Sequence, residues 1–152
     1  ALARTRVQTL RARCGVGYRD ARIVRLAGMF ATGEIDLAFF ENPAVPDEHV
    51  REALLALPGI GPYAANNLMQ LLGRYGHIPC DTESVRHGRS ILGMTGSPAQ
   101  IMKRVDKHFA AFGEHRFRSY WFELWAFYEA KRGPARTWEK AAVAASFTAA
   151  QF

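Results

Sequence analysis

Leu57-Pro58-Gly59-Ile60-Gly61-Pro62-Tyr63-Ala64-Ala65 is the stretch that decides the fold of this chain. Upstream, Val50, Ala53, Leu54 and Leu57 recur at helical spacing. Downstream, Pro62 stands where a helix can open, because a first-turn residue has no intrahelical use for its N–H. Two helices are therefore joined by a tight turn that holds two glycines around one aliphatic residue. Gly59 and Gly61 give the backbone access to positive φ and let a partner approach the main chain closely. Ile60 is expected to tuck between the helices and hold the turn shut. The N–H groups of Gly61 and of the next helix's first turn, through Ala64, then face outward at the positive end of a helix dipole. Such a site suits a phosphate and is indifferent to base sequence. The plain alternative is an αα-hairpin that uses Gly and Pro only to turn.

Outward from the turn, the periodicity stays helical. Ala3, Val7, Leu10 and Cys14 make one stripe, stopped by Gly15; Ile23, Leu26, Ala27 and Phe30 make the next, closed near Gly33. Asn42–Pro46 reads as a loop, and the helix opened by Pro62 ends at Gly73. After a loop over Arg74–Cys80, a helix runs from about Thr82 to Gly93. Ser97-Pro98 is a cap followed by a first-turn proline, and Ile101, Val105, Phe109 and Phe112 stripe the helix behind it. Tyr120, Trp121, Leu124, Trp125 and Tyr128 form an aromatic face ending at Gly133-Pro134, and an Ala-rich helix is expected after Thr137. With neither strand nor internal repeat in the pattern, the expected class is all-α.

Composition bounds the function. The chain has 152 residues, of which 49% are hydrophobic and 22% charged, enough for a packed core and unlike disordered or low-complexity sequence. Its longest apolar stretches, such as Ala141 to Ala145, fall far short of a membrane span. Cys14 and Cys80 cannot form a disulfide framework or a four-cysteine metal site, and a reducing, intracellular setting is expected. Twenty basic residues against 14 acidic give a net charge of +6, which favours a polyanionic partner. The excess is uneven: residues 1–40 carry seven Arg against three acids, whereas residues 41–80 carry two basic residues against four acids. Only Lys103, Lys107, Lys131 and Lys140 are lysines, so none precedes position 103.

The turn resembles the hairpin of the helix-hairpin-helix DNA glycosylases, the endonuclease III superfamily, and the likeness continues in register. Leu68 to Leu72 matches the hydrophobic helix that follows in the family. Asp81-Thr82-Glu83-Ser84-Val85-Arg86 matches its Asp-Thr-x-x-x-Arg stretch. Gly17-Tyr18-Arg19-Asp20-Ala21, and Arg118-Ser119-Tyr120 followed by Trp125, are more loosely similar to the alkyladenine-type branch (the 3-methyladenine glycosylase II type). The resemblance spans about residues 10 to 130. It implies a two-lobed helical bundle with an active-site cleft between the lobes. A first lobe over 1–80 would contain the hairpin, about 50–72, and a second would cover 81–152, the two making one compact domain. It also implies base-excision repair of double-stranded DNA by a monomer, in the cytoplasm and nucleoid or in a eukaryotic nucleus, with no membrane partner.

Roles transfer residue by residue. Asp81 matches the catalytic carboxylate, which offsets the positive charge that develops at the sugar C1′ and orients or deprotonates a water. Taken alone, Asp81-Thr82-Glu83-Ser84 is equally a good helix N-cap, and the two roles are compatible. Gly59, Ile60, Gly61, Ala64 and Arg86 fall on the DNA-binding positions. Family members that also cut the backbone carry a Schiff-base lysine at the position of Tyr63, so the chain is expected to be a monofunctional hydrolase that leaves an abasic site. Tyr63, Tyr120 and Trp125 are candidates for stacking on an extruded base, best an alkylated and positively charged one. The competing role for the α-helical aromatics is plain core, favoured for Trp121 and evenly balanced for Tyr120 and Trp125.

Arg19, Arg22, Arg89, Lys103 and Lys107 could neutralise further phosphates or simply be solvated, and His87 is expected to be a surface or cap residue. In some relatives hairpin carbonyls hold Na+ or K+, which here implicates the backbone of Leu55, Leu57 and Ile60. The four-cysteine iron–sulfur loop of many relatives has no counterpart, so neither that cluster nor any other cofactor is expected to be required. Nor do the family's leading helices, including one that plugs the gap left by the flipped base, which points to a fragment or a reduced member. Two other classes stay open: a non-catalytic helix-hairpin-helix module of a larger complex, and an all-helical protein-interaction domain.

Overall fold

A computed structural model describes residues 1–138, and all of the regular structure among them is helical. The Ala-rich helix expected after Thr137 falls almost wholly outside the described residues. The chain divides into two compact units, the first Ala1–Leu72 and the second beginning at Gly73. The boundary thus falls at the end of the helix after the turn, ahead of the loop that was expected to close the first lobe.

In the first unit, α1 (Val7–Cys14) and α2 (Asp20–Ala31) lead to a short α3 (Leu37–Glu41), then α4 (Asp47–Ala56) and α5 (Pro62–Leu71). α3 has no counterpart in the periodicity, because five residues are too few to show a stripe. Its start is set by Asp36, whose carboxylate accepts the Ala38 N–H at 2.9 Å. α4 and α5 close on a seam of Val50, Leu54, Ala65 and Met69, against which Leu55, Leu57, Ile60, Leu68 and Leu72 pack. A fully buried Val or Met contributes about 1.5–3 kcal/mol, against about 1 kcal/mol for a typical hydrogen bond. The seam, more than the single Ile60 N–H to Leu57 carbonyl bond of 3.2 Å, therefore holds the turn. Asn66, buried on α5, is met across the pair by Arg51 Nε at 2.9 Å from its Oδ1.

Gly59 is the one residue of the turn with positive φ, at +84°. A Cβ there would stand 2.7 Å from Cδ of Arg22, whose aliphatic stem lies over the glycine. Strained backbone and close packing act together, so Gly59→Ala is expected to lower stability by at least about 1–2 kcal/mol. Urea denaturation checks this; an unchanged midpoint would show that the turn tolerates a side chain.

The second unit contains α6 (Thr82–Ser90), α7 (Pro98–Phe109) and α8 (Arg116–Arg132). Capping boxes start two of them, Asp81 with Ser84 for α6 and Ser97 with Gln100 for α7. α6 and α7 meet at Gly88, where a Cβ would lie 2.5 Å from Ile101 Cγ2 and 2.9 Å from Val105 Cγ2. The core behind them comprises Ile78, Val85, Met94, Ile101, Val105, Phe109, Tyr120, Leu124 and Tyr128. On α8 the expected single aromatic face is two. Tyr120, Leu124 and Tyr128 point inward, four residues apart, while Trp121 and Trp125 stack on each other one position around, with Trp121 43% exposed. Trp121 is therefore not core.

Candidate functional site

The first element is the α4–α5 turn. Leu57 ends α4 and Gly61 is the N-cap of α5, with no side-chain cap bond. The ladder of α5 begins with the Ala65 N–H to the Gly61 carbonyl, at 2.9 Å. Ahead of it the N–H groups of Gly61, Tyr63 and Ala64 have no hydrogen-bond partner among the described residues. Gly61 itself lies at φ −97°, ψ −179°, extended backbone that any residue adopts, and not at the positive φ expected of it. A Cβ on it would meet nothing within 4 Å. Bare amides thus stand at the positive end of a ten-residue helix whose N-cap and first residues, Gly61 to Tyr63, are exposed. Of the three carbonyls considered for a monovalent cation, that of Leu57 also accepts the Ile60 N–H, whereas those of Leu55 and Ile60 accept no hydrogen bond among the described residues. Oxygen donors with lone pairs to spare fit a hard cation.

The second element is Asp81. It is half-buried at the N-cap of α6, and its Oδ1 accepts both cap bonds, from Glu83 N at 2.9 Å and Ser84 N at 3.3 Å. Its Oδ2 has no hydrogen bond among the described residues, so one oxygen fixes the carboxylate and the other is uncommitted. Ser84 Oγ accepts the Asp81 N–H and lies 3.3 Å from the hydroxyl of Tyr120, both being buried. Burial holds the Tyr120 phenol well above the ordinary tyrosine range, so it stays a neutral hydroxyl. Burial also pushes the neighbouring Cys80 thiol up to about 11, so it stays a neutral thiol near neutral pH. Among the described residues, no group of His, Cys, Asp and Glu side chains could hold a metal ion.

Two expectations for α6 need correction. Arg86, expected on DNA phosphate or on a solvated face, is 7% exposed. Its guanidinium is paired with Glu83 and lies 4.0 Å from the centroid of the Phe127 ring and 5.2 Å from that of Tyr128. A buried cation is held by such partners because it has no access to water, and the same enclosure keeps it from a phosphate. His87, expected at the surface, is fully buried, with Nε2 3.0 Å from Glu123 Oε1.

Burial lowers the His87 pKa, outweighing Glu123. Below about pH 6.5, the ordinary histidine value, the unfolded chain therefore takes up a proton that the folded chain refuses. Stability should fall with acidification from there until the pH passes the folded-state value. Denaturation midpoints at several pH values check this. His87→Gln should flatten the dependence, and a slope unchanged by the substitution would refute the assignment.

The candidate stacking residues separate. Tyr63, in the first turn of α5, is 51% exposed and available. Tyr120 is 4% exposed and belongs to the core. Trp125 is half-buried between Trp121 and Trp138, at 5.9 and 5.4 Å between ring centroids. The exposure of Trp121 is a feature that the periodicity did not single out. No helix among the described residues is long and apolar enough to cross a membrane. Compared with protein-family models, with curated proteins and with solved structures, the chain matches none of them.

Proposed function

We propose that this chain is a monofunctional DNA glycosylase that removes a damaged base from double-stranded DNA and leaves an abasic site. The observation that carries the reading is Asp81: a half-buried carboxylate anchored through Oδ1 alone, with Oδ2 uncommitted. The bare amides of the α4–α5 turn support it, read as a helix-hairpin-helix clamp on phosphate, as does the net charge of +6. In the reaction the bond from C1′ to the base nitrogen breaks, and its electron pair leaves with the base. The Asp81 carboxylate offsets the positive charge growing on the sugar. A water oxygen then bonds to C1′ and gives up a proton, first to Asp81 and then to solvent.

Tyr63 stands where a Schiff-base lysine would be needed, which supports hydrolysis over strand cleavage. The extruded base would stack on Tyr63 or lie against the exposed part of Trp121, most strongly when alkylated and cationic. A monovalent cation on the carbonyls of Leu55, Leu57 and Ile60 would add to the clamp. The partner in this reading is damaged duplex DNA, bound by a monomer. Duplexes each carrying one lesion, alkylated purines first and oxidised or mismatched bases next, test the reading when scored for abasic sites after alkali. Release from none of them would refute it.

A second reading, a non-catalytic DNA-binding module, is favoured by the capping box itself, since capping α6 is reason enough for an Asp at this position.

A further inference from the structure

Next to the α4–α5 turn lies a cleft of about 170 Å³, lined by Tyr18, Arg19, Arg22 and the apolar Ile23 and Leu26, and by Pro58, Gly59 and Ile60 of the turn. Its charge is not apparent from the sequence, where Asp20 stands between the two arginines. The structure removes that acid: Asp20 is 1% exposed, and its carboxylate is bound by Arg11 and by the Ala21 N–H at 2.7 Å. The Arg11 guanidinium holds the Asp20 carboxyl below the usual carboxylate range, so it remains a charged partner of Arg11. Arg19 and Arg22 are left with no carboxylate partner among the described residues.

Both guanidiniums lie on the exposed ring of Tyr18, at 4.9 and 5.6 Å from its centroid. One ring thus holds two like charges together. They sit at the start of α2, the positive end of its dipole, where cations are disfavoured and an anion would relieve both the dipole and their mutual repulsion. Gly59 completes the arrangement, since any larger residue would displace the stem of Arg22.

We propose that this cleft is a phosphate-binding site that takes a second phosphodiester of the strand gripped by the α5 amides. The inference rests on the DNA-binding reading for its ligand, but not on Asp81 or on base release. The cleft is lined by Pro58–Ile60, and the bare α5 amides begin at the next residue, Gly61.

Two arms test it on the whole chain. In the first, duplex binding is followed against salt for the wild type, Arg22→Gln, Arg19→Gln and Gly61→Val. Each phosphate that is no longer neutralised should reduce the log–log salt slope by about 0.9. Arg22→Gln should show that reduction on any sequence, and Arg19→Gln should weaken binding in the same direction. If Gly61→Val impairs binding while both arginine variants keep the wild-type slope and affinity, the cleft proposal fails and the DNA-binding reading stands. In the second arm, inorganic phosphate is titrated against the protein and the arginine Nε–H and Tyr18 ring resonances are followed by NMR. Shifts in the wild type that vanish in the Arg19→Gln, Arg22→Gln double variant support the site. They would do so even if the wild type bound no duplex, in which case the DNA reading falls and the cleft serves a free phosphate. Unmoved arginine resonances overturn the cleft proposal whatever the first arm gives.

Discussion

Asp81→Asn should reduce base release at least about a hundredfold while leaving both folding and duplex affinity close to wild type. The magnitude follows from the cost of removing one preorganised electrostatic contact at a developing charge, about 10²–10³ in rate. The substitution is chosen because Asp81 does two things that can be separated chemically. As an N-cap its Oδ1 accepts the Glu83 and Ser84 amides, and asparagine caps about as well as aspartate. As a catalyst it must carry negative charge, which asparagine lacks. Asp81→Ala removes both roles, and should in addition cost about 1 kcal/mol of stability. Rates of abasic-site formation, measured beside urea midpoints, give the comparison. Full activity in Asp81→Asn would reduce Asp81 to a cap, and the group that offsets the charge at C1′ would have to be another.

The ends of the helices were legible because punctuation there is local. Pro62, and Ser97 with Pro98, act on the few residues around them, so their positions predict helix starts without knowledge of the fold. The seam between α4 and α5 was legible for a related reason. Its apolar residues repeat on one face of each helix, and Ile60 has an apolar seam to enter.

Burial on α6 was not legible. Thr82–Ser90 contains one large aliphatic residue, Val85, and reads as a polar surface helix. Yet Ser84, Arg86 and His87 are all buried, because Gly88 brings α7 close and partners for the polar groups arrive from α6 itself and from α8. Glu83 is three residues from Arg86, but Glu123 is far along the chain from His87, and local periodicity carries no record of such a partner. The same limit explains the aromatics of α8. Six of them within nine residues satisfy an inward face and an outward one at once, and only the packing shows that Tyr120 belongs to the first and Trp121 to the second.

Gly61 allows a sharper test of the turn than Gly59 does. At Gly59 any side chain strains the backbone and strikes Arg22, so a binding defect there would be inseparable from a structural one. At Gly61 the backbone is extended and the space beyond the missing side chain is open, so a substituent is felt by the partner and hardly by the fold. Gly61→Val should weaken binding about 10- to 100-fold on every duplex alike, the value of one charge-assisted hydrogen bond of about 1.5–3 kcal/mol. Its own cost to helix capping should stay within about 1 kcal/mol. Gly61→Asp makes the two effects diverge. Aspartate caps a helix better than glycine, and its carboxylate would occupy the Tyr63 and Ala64 amides, so stability should hold or rise. The same carboxylate would repel phosphate where the bare amides attract it, so affinity should fall at least as far as in Gly61→Val. A variant at least as stable as the wild type and much weaker in binding must owe the defect to the ligand and not to the fold. Were Gly61→Asp to bind duplex as the wild type does, the amides at the head of α5 would not be the clamp, and the groups that hold phosphate would have to lie elsewhere on this basic chain.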